Sequence, residues 1–303
     1  MKRIWRSLLG LVLLFVLGFA GYAWRHHWSK VPSRPTPAID LAAPIMSYEE
    51  YGTFEHPRPY VIEIDSAPGK LLYMGIGHTR DPRDPQIALI RERWATFKPT
   101  VALLESRLGL YVGPFDAGVR EFGEAGAVYA LAKRDGVPLW SLEPPIEDEV
   151  RFMLQKWSPQ HVALFYTLRT YMGDRKTDNG DPDALLAGLL EKRKRYPGLE
   201  KSFRDLADLD AFYKRTFPNL PDWRKLPDEA MWPGREDSDL NHLATRSNQF
   251  RDEHIARLLV DLVRRGERVF AAVGASHAVM EERALRETLR PNNSAGLRDK
   301  LSS

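Results

Sequence analysis

Short apolar runs that each end in a chemically capable residue constrain this chain more than any other feature. The run 71–74 leads into Gly75-Ile76-Gly77-His78, Val101–Leu104 into Glu105, 137–142 into Glu143, and 269–273 into Gly274-Ala275-Ser276-His277. Runs so short and so apolar read as strands buried on both faces. Helical spacing fills the gaps between them. In Pro85–Phe97, Ile87, Ile90, Arg91 and Trp94 share one face and Pro99 closes the segment; 116–135 is a second helix. A further strand at 60–65 pairs with 70–75 across a Ser-Ala-Pro-Gly turn. Strands alternating with helices specify an α/β fold with a mainly parallel layered sheet and flanking helices.

The stretch 147–235 offers no strand. It reads as a helical insertion: a helix at 147–171, a polar loop, two charged amphipathic helices within 184–217 broken near Pro197-Gly198, and an irregular piece at 218–234. A long helix at 240–265, the last strand and a closing helix at 277–289 complete a domain over 60–290, and 291–303 is a loose tail. Ahead of the domain, 31–59 is rich in proline and reads as a tether.

The first thirty residues carry Lys2, Arg3, Arg6, Arg25 and Lys30, no acid, and an uncharged apolar run over 8–24. At about 1.5 Å per residue that run spans roughly 25 Å, close to a hydrocarbon core of ~30 Å. Tyr22, Trp24 and Trp28 stand where an interfacial aromatic belt would lie. The segment 1–30 reads as a signal anchor, a single pass through the cytoplasmic membrane that leaves the folded domain on the extracytoplasmic side. A signal peptide cleaved near Gly21-Tyr22-Ala23 or Gly18-Phe19-Ala20, giving a periplasmic or secreted protein, is the alternative. Those five bases account for the net charge of +3, because the other 39 Lys and Arg face 41 acids. The domain therefore has no general attraction for phosphate backbones, and no nucleic-acid partner is expected. With no Cys in the chain, a thiol nucleophile, an iron–sulfur cluster and a thiolate zinc site are excluded.

In a parallel sheet, residues just past the carboxyl ends of the strands line a common crevice. His78, Glu105, Glu143 and His277 are thus expected at one edge, with glycines before both histidines to let the backbone turn. Two imidazoles and a carboxylate suit either a divalent metal with an open position for water or metal-free acid–base hydrolysis. Arg251 stands four residues before Ile255 on the apolar stripe of its helix, where a guanidinium needs a carboxylate, an anionic ligand or a path to water. His254 is expected at the surface. Ser106 and Ser276 lack the Gly-x-Ser-x-Gly setting of a serine nucleophile.

GIGHTRDP (75–82), ALLESR (102–107) and RDEHIARLLVDLVRRGERVFAAVGASHAV (251–279) resemble the Tiki/TraB/GumN and erythromycin-esterase-like superfamily, which includes ChaN-like proteins. The resemblance covers roughly 60–142 and 240–290 and leaves the helical middle unmatched. It implies catalytic roles for His78, Glu105, Arg251 and His277, with Asp252 beside Arg251. Under a Tiki-like reading, His78, Glu105 and His277 hold a divalent metal (Mn, Co or Zn) and the chain is a metallopeptidase-like hydrolase of peptides. Under an esterase-like reading, a small ester is cleaved without metal. The Arg251-Asp252 start looks esterase-like, because the Tiki and TraB branch mostly carries Asn there, but the rest of the esterase pattern, an acid and a second Gly around the first His, is absent. The expectation is the metal-dependent hydrolase of peptides, with the metal-free esterase as the alternative. A ChaN-like haem binder without catalysis is the competing class, with Tyr111, Tyr166 and Tyr171 as possible axial ligands.

Overall fold

The computed structural model describes residues 31–105, 114–176 and 180–290, together with 16–18 and the backbone of 27–28 and 111–112. Most of the apolar run 8–24 and the tail 291–303 lie outside the described residues. No helix among the described residues is long and apolar enough to cross a membrane.

One sheet is built from β1 (Tyr60–Ser66), β2 (Gly69–Ile76), β3 (Val101–Leu104), β4 (Leu139–Ser141) and β5 (Arg268–Gly274). Its order is β1-β2-β5-β3-β4; the β1–β2 hairpin is antiparallel and every other pairing is parallel. Gly69 opens β2 where a Cβ would fall 2.1 Å from the Val263 carbonyl oxygen, so only glycine lets the hairpin close against the neighbouring helix. Side chains alternate between the two faces of the sheet. Leu72, Met74, Phe270, Ala102 and Leu104 pack under α1 (Pro85–Phe97) and α2 (Phe115–Asp135). Leu71, Tyr73, Val269, Ala271 and Leu103 pack on the other side, where Ile255, Leu259 and Leu285 meet them.

The last strand, β5, inserts between β2 and β3. That crossover brings the carboxyl ends of β2, β5, β3 and β4 into consecutive places along one edge.

The middle is helical, as expected: α3 (Ile146–Leu154), α4 (Pro159–Asp174), α5 (Pro182–Arg193) and α6 (Leu206–Thr216). The single helix expected over 147–171 is two. Ser158 caps α4 by accepting from the His161 N–H, and Pro159 takes its first turn, so the Ser-Pro pair starts a new helix. These helices bury a core of their own around Phe165, Leu189, Phe212 and Trp223. The long helix α7 (Asp239–Arg264) ties the two layers together. Leu240 and Leu243 belong to the helical core, and Ile255 to Val263 to the sheet. Arg251 falls at the junction. α8 (Ala275–Thr288) follows β5 directly.

Two expectations are corrected here. The stretch 31–59 does not hang free: Val31 enters the core under the sheet, the Ser141 N–H donates to the Pro32 carbonyl at 2.9 Å, and the Met46 N–H to the Met280 carbonyl at 3.0 Å. Apolar side chains spaced along it, Ile39, Leu41 and Ile45 among them, anchor it piece by piece. His254, expected at the surface, is 0% exposed, with Nδ1 2.8 Å from the Thr36 hydroxyl of that strap.

Burial pushes the His254 pKa down to about 4, aided by the nearby Arg251 charge and against the pull of Glu143. An unfolded-chain histidine takes its proton near pH 6.5, so between about 6.5 and 4 the unfolded state binds more protons than the folded one. Stability is therefore expected to fall as pH drops through that window, by up to about 3 kcal/mol, and to level off below it. Urea unfolding at a series of pH values checks this: His254→Gln should flatten the acid limb, and an unchanged limb would refute the assignment.

Candidate functional site

Past β2, the loop bearing His78 is held by α1: the Gly77 N–H donates to Gln86 Oε1 at 2.8 Å, and Gln86 Nε2 returns a bond to the Gly77 carbonyl at 3.3 Å. Helix α2 bends at Gly123, whose φ of 62° is left-handed and whose Cβ would sit 2.8 Å from the Thr79 carbonyl oxygen. The bend presses α2 against the His78 loop and puts Glu124 under the imidazole. His78 Nδ1 and Glu124 Oε1 are 2.7 Å apart. That bond raises the His78 pKa, with desolvation opposing it. The side chain is 71% exposed, and Nε2 is left to face the edge of the sheet.

Glu105, at the end of β3, is the hub. Its Oε2 accepts from the Gly274 N–H at 2.7 Å and its Oε1 from Arg251 Nη2 at 2.8 Å, while His277 Nε2 stands 3.5 Å from Oε1. Burial would raise its pKa, but His277, Arg251 and the Gly274 N–H together hold it well below the usual carboxylate range. Arg251 also reaches Glu143 through Nε at 2.9 Å and Nη2 at 2.7 Å, and Asn248 Oδ1 through Nη1 at 2.9 Å. Its side chain is 5% exposed. Of the partners considered for this guanidinium, the carboxylates are the ones it finds. A Cβ on Gly274 would lie 3.2 Å from His78 Nε2 and 3.3 Å from Glu105 Oε2, so this glycine is what lets imidazole and carboxylate approach each other.

Behind Glu105 lies a buried group. His277 Nδ1 bonds Asp252 Oδ1, and Tyr73 donates to Glu281 Oε2 at 3.0 Å. Burial resists charge on His277, yet Asp252 and Glu105 outweigh it and push its pKa up to about 10. The Glu281 pKa is likewise driven well above the ordinary value, by burial and then by Asp252, which favours its neutral form. Asp252 Oδ2 and Glu281 Oε1 are buried without hydrogen-bond partners. Asp252, His277 and Glu281 each offer a ligand atom within 4.8 Å of the others, and this group could hold a metal ion. Of the ligands expected from the sequence, only His277 belongs to it.

His78, Glu105, Glu143 and Arg251 line one cleft of about 610 Å³, together with Arg169 from α4 and Glu124. His277 is 7% exposed and sits behind Glu105 rather than in the cleft wall. Ser106 and the Tyr111 side chain lie outside the described residues; Tyr166 and Tyr171 are buried in the helical layer. Glu124 and Glu281 went unnoticed in the sequence. Glu124 comes from a distant part of the chain and no local spacing marks it, whereas Glu281 stands four residues after His277 on the same helix, a spacing that puts both on one face. Compared with family models, curated proteins and solved structures, the chain matches none.

Proposed function

We propose that this chain is a hydrolase that activates water in the open cleft at the carboxyl edge of the sheet and cleaves a small ester without a metal. The observation that carries this is the division of labour between the two histidines. His78 is exposed, oriented by Glu124, and presents Nε2 beside Glu105 over Gly274. It is the general base: Glu124 holds the Nδ1 proton and strengthens Nε2 for taking a proton from water. Glu105, kept ionised, positions that water. His277 and Asp252 are positioning residues that hold Glu105 from behind. Arg169, which also lines the cleft and has no carboxylate within ion-pair distance among the described residues, supplies the positive charge for the developing oxyanion.

The Arg251-Asp252 pair, which resembles the erythromycin-esterase-like branch, supports this reading, although the acid and second Gly of that branch around the first His are absent. On the same reading the segment 8–24 anchors or exports the domain to the extracytoplasmic side.

A metal-dependent peptidase is the second reading, and the unpartnered oxygens of Asp252 and Glu281 speak for it. The donor set of one imidazole and two carboxylates fits zinc or manganese. All three residues are buried, however, and a catalytic metal needs a position open to substrate. When bound there, a metal would supply charge behind Glu105. A haem reading has less support still, because the cleft is walled by arginine and glutamate rather than by a broad apolar face.

The test is a panel of nitrophenyl carboxylic esters and capped peptides offered to the purified full-length chain. Ester turnover is expected; cleavage of peptides only, and only with added Mn²⁺, Co²⁺ or Zn²⁺, would replace this reading with the peptidase. Within the ester reading, Gly274→Ala is expected to cut kcat/KM by about tenfold to a hundredfold, since its methyl wedges His78 from Glu105. The melting temperature should stay near that of the wild type, because the crowded atoms are side-chain tips. Full activity in this variant would contradict the placement of water between the two groups.

A further inference from the structure

The reaction cleft does not end at Glu143 and Arg169. Those two residues also line a second hollow of about 280 Å³, which runs between α3, α4 and α5 past Tyr166, Thr170, Arg193 and Tyr196. Its walls carry two arginines with no carboxylate within ion-pair distance among the described residues. Arg193 is spread over neutral acceptors: Nε to the Tyr166 carbonyl at 3.3 Å, Nη1 to the Tyr196 hydroxyl at 2.6 Å, and Nη2 to Thr170 Oγ1 at 2.6 Å. The Tyr196 ring flanks its guanidinium at 5.3 Å. Among the described residues Arg169 bonds only the Ser247 hydroxyl, at 3.1 Å.

Two acids, Glu143 and Glu149, line the hollow as well, and both already accept hydrogen bonds. Glu143 is held by two bonds from Arg251, and Glu149 accepts from Ser247 at 2.6 Å. The Tyr166 hydroxyl lies buried beside Glu149 and Ser247. A guanidinium pinned by neutral groups keeps its charge and unused N–H bonds for a ligand.

We infer that this hollow is a subsite for an anionic substituent of the substrate, a carboxylate or a phosphoryl group, which Arg193 and Arg169 hold while the scissile ester lies against His78 and Glu105. The inference rests on the hydrolase reading for its orientation, since the shared Glu143 and Arg169 join the two hollows. The substrate class becomes an ester bearing an anion on the side away from His78. Arg169 then faces both ends, the bound anion and the reacting carbonyl.

The experiment compares three nitrophenyl esters of matched acyl length, one neutral, one ending in a carboxylate and one in a phosphonate, on the wild type and on Arg193→Gln and Arg193→Lys. The full-length chain should prefer an anionic ester over the neutral one by at least about tenfold in kcat/KM, the worth of one charge-assisted hydrogen bond. Arg193→Gln should abolish that preference and Arg193→Lys keep part of it. The better of the two anions names the source. Calorimetric binding of glutarate and of inorganic phosphate, read in parallel, needs no turnover: the tighter anion should weaken at least about tenfold in Arg193→Gln. Should Arg193→Gln fail to fold, Arg169→Gln gives the same binding comparison. Anion binding that is lost in the variant while no ester is cleaved would keep the subsite and remove the hydrolase reading. Turnover with equal rates on all three esters, or a preference unmoved by Arg193→Gln, would overturn the subsite and leave the hydrolase standing.

Discussion

Arg251→Met should cost the fold about 3–5 kcal/mol near neutral pH, the penalty for removing one partner of a buried ionic group. The guanidinium separates Glu105 from Glu143, and each carboxylate already raises the other's cost of ionising. Methionine fills the space and leaves two acids facing each other across it. Glu143, left with burial and the neighbouring Glu105 charge, would then have a folded-state pKa above its unfolded one, while Glu105 keeps His277 and the Gly274 N–H. The variant's deficit should accordingly be largest above that value and shrink as pH falls and Glu143 takes up a proton. Arg251→Lys, which keeps the charge but not the forked bonding, should lose less. Urea unfolding at two pH values reads all of this. A methionine variant as stable as the wild type near neutral pH would mean that the Glu105–Arg251–Glu143 group does not hold the edge of the sheet together.

The second large effect is catalytic. His78→Ala is expected to lower kcat/KM on the best ester by about 10²–10⁴, the usual contribution of a general base. Its melting temperature should barely move, because the side chain is mostly exposed. Glu124→Gln separates a base from a merely structural histidine. Glu124 raises the His78 pKa, so the wild-type rate should climb with pH through a value above that of an ordinary histidine. Without the carboxylate the pKa falls, and the acid limb of the pH–rate profile should move to lower pH with a reduced plateau. A limb that stays in place would take the base role away from His78.

Much of this site was legible in the sequence. Apolar runs ending in Gly-x-x-His or Glu identified the strands and predicted that His78, Glu105, Glu143 and His277 gather at one edge. The apolar stripe of α7 placed Arg251 facing inward. What stayed hidden was set by long-range packing. Nothing local says that β5 inserts between β2 and β3, although that insertion is what makes His78 and Glu105 neighbours across Gly274. The stretch 116–135 reads as one helix; the left-handed backbone of Gly123 within it is what delivers Glu124 to His78. His254 read as polar and exposed because the Pro-rich strap that covers it has no periodicity to announce that it packs. Separating the histidines into an open base and a buried cation required their surroundings, since the two motifs are alike in sequence.

The metal-free account meets its most direct test in one initial rate: hydrolysis of the best nitrophenyl ester by the full-length chain after exhaustive chelation and dialysis into metal-free buffer. The account predicts the same kcat/KM before and after stripping, because His78 and Glu105 generate the nucleophile from water themselves. Loss of turnover on stripping, restored by stoichiometric Mn²⁺, Co²⁺ or Zn²⁺, would contradict it and move the chemistry to the Asp252, His277 and Glu281 group.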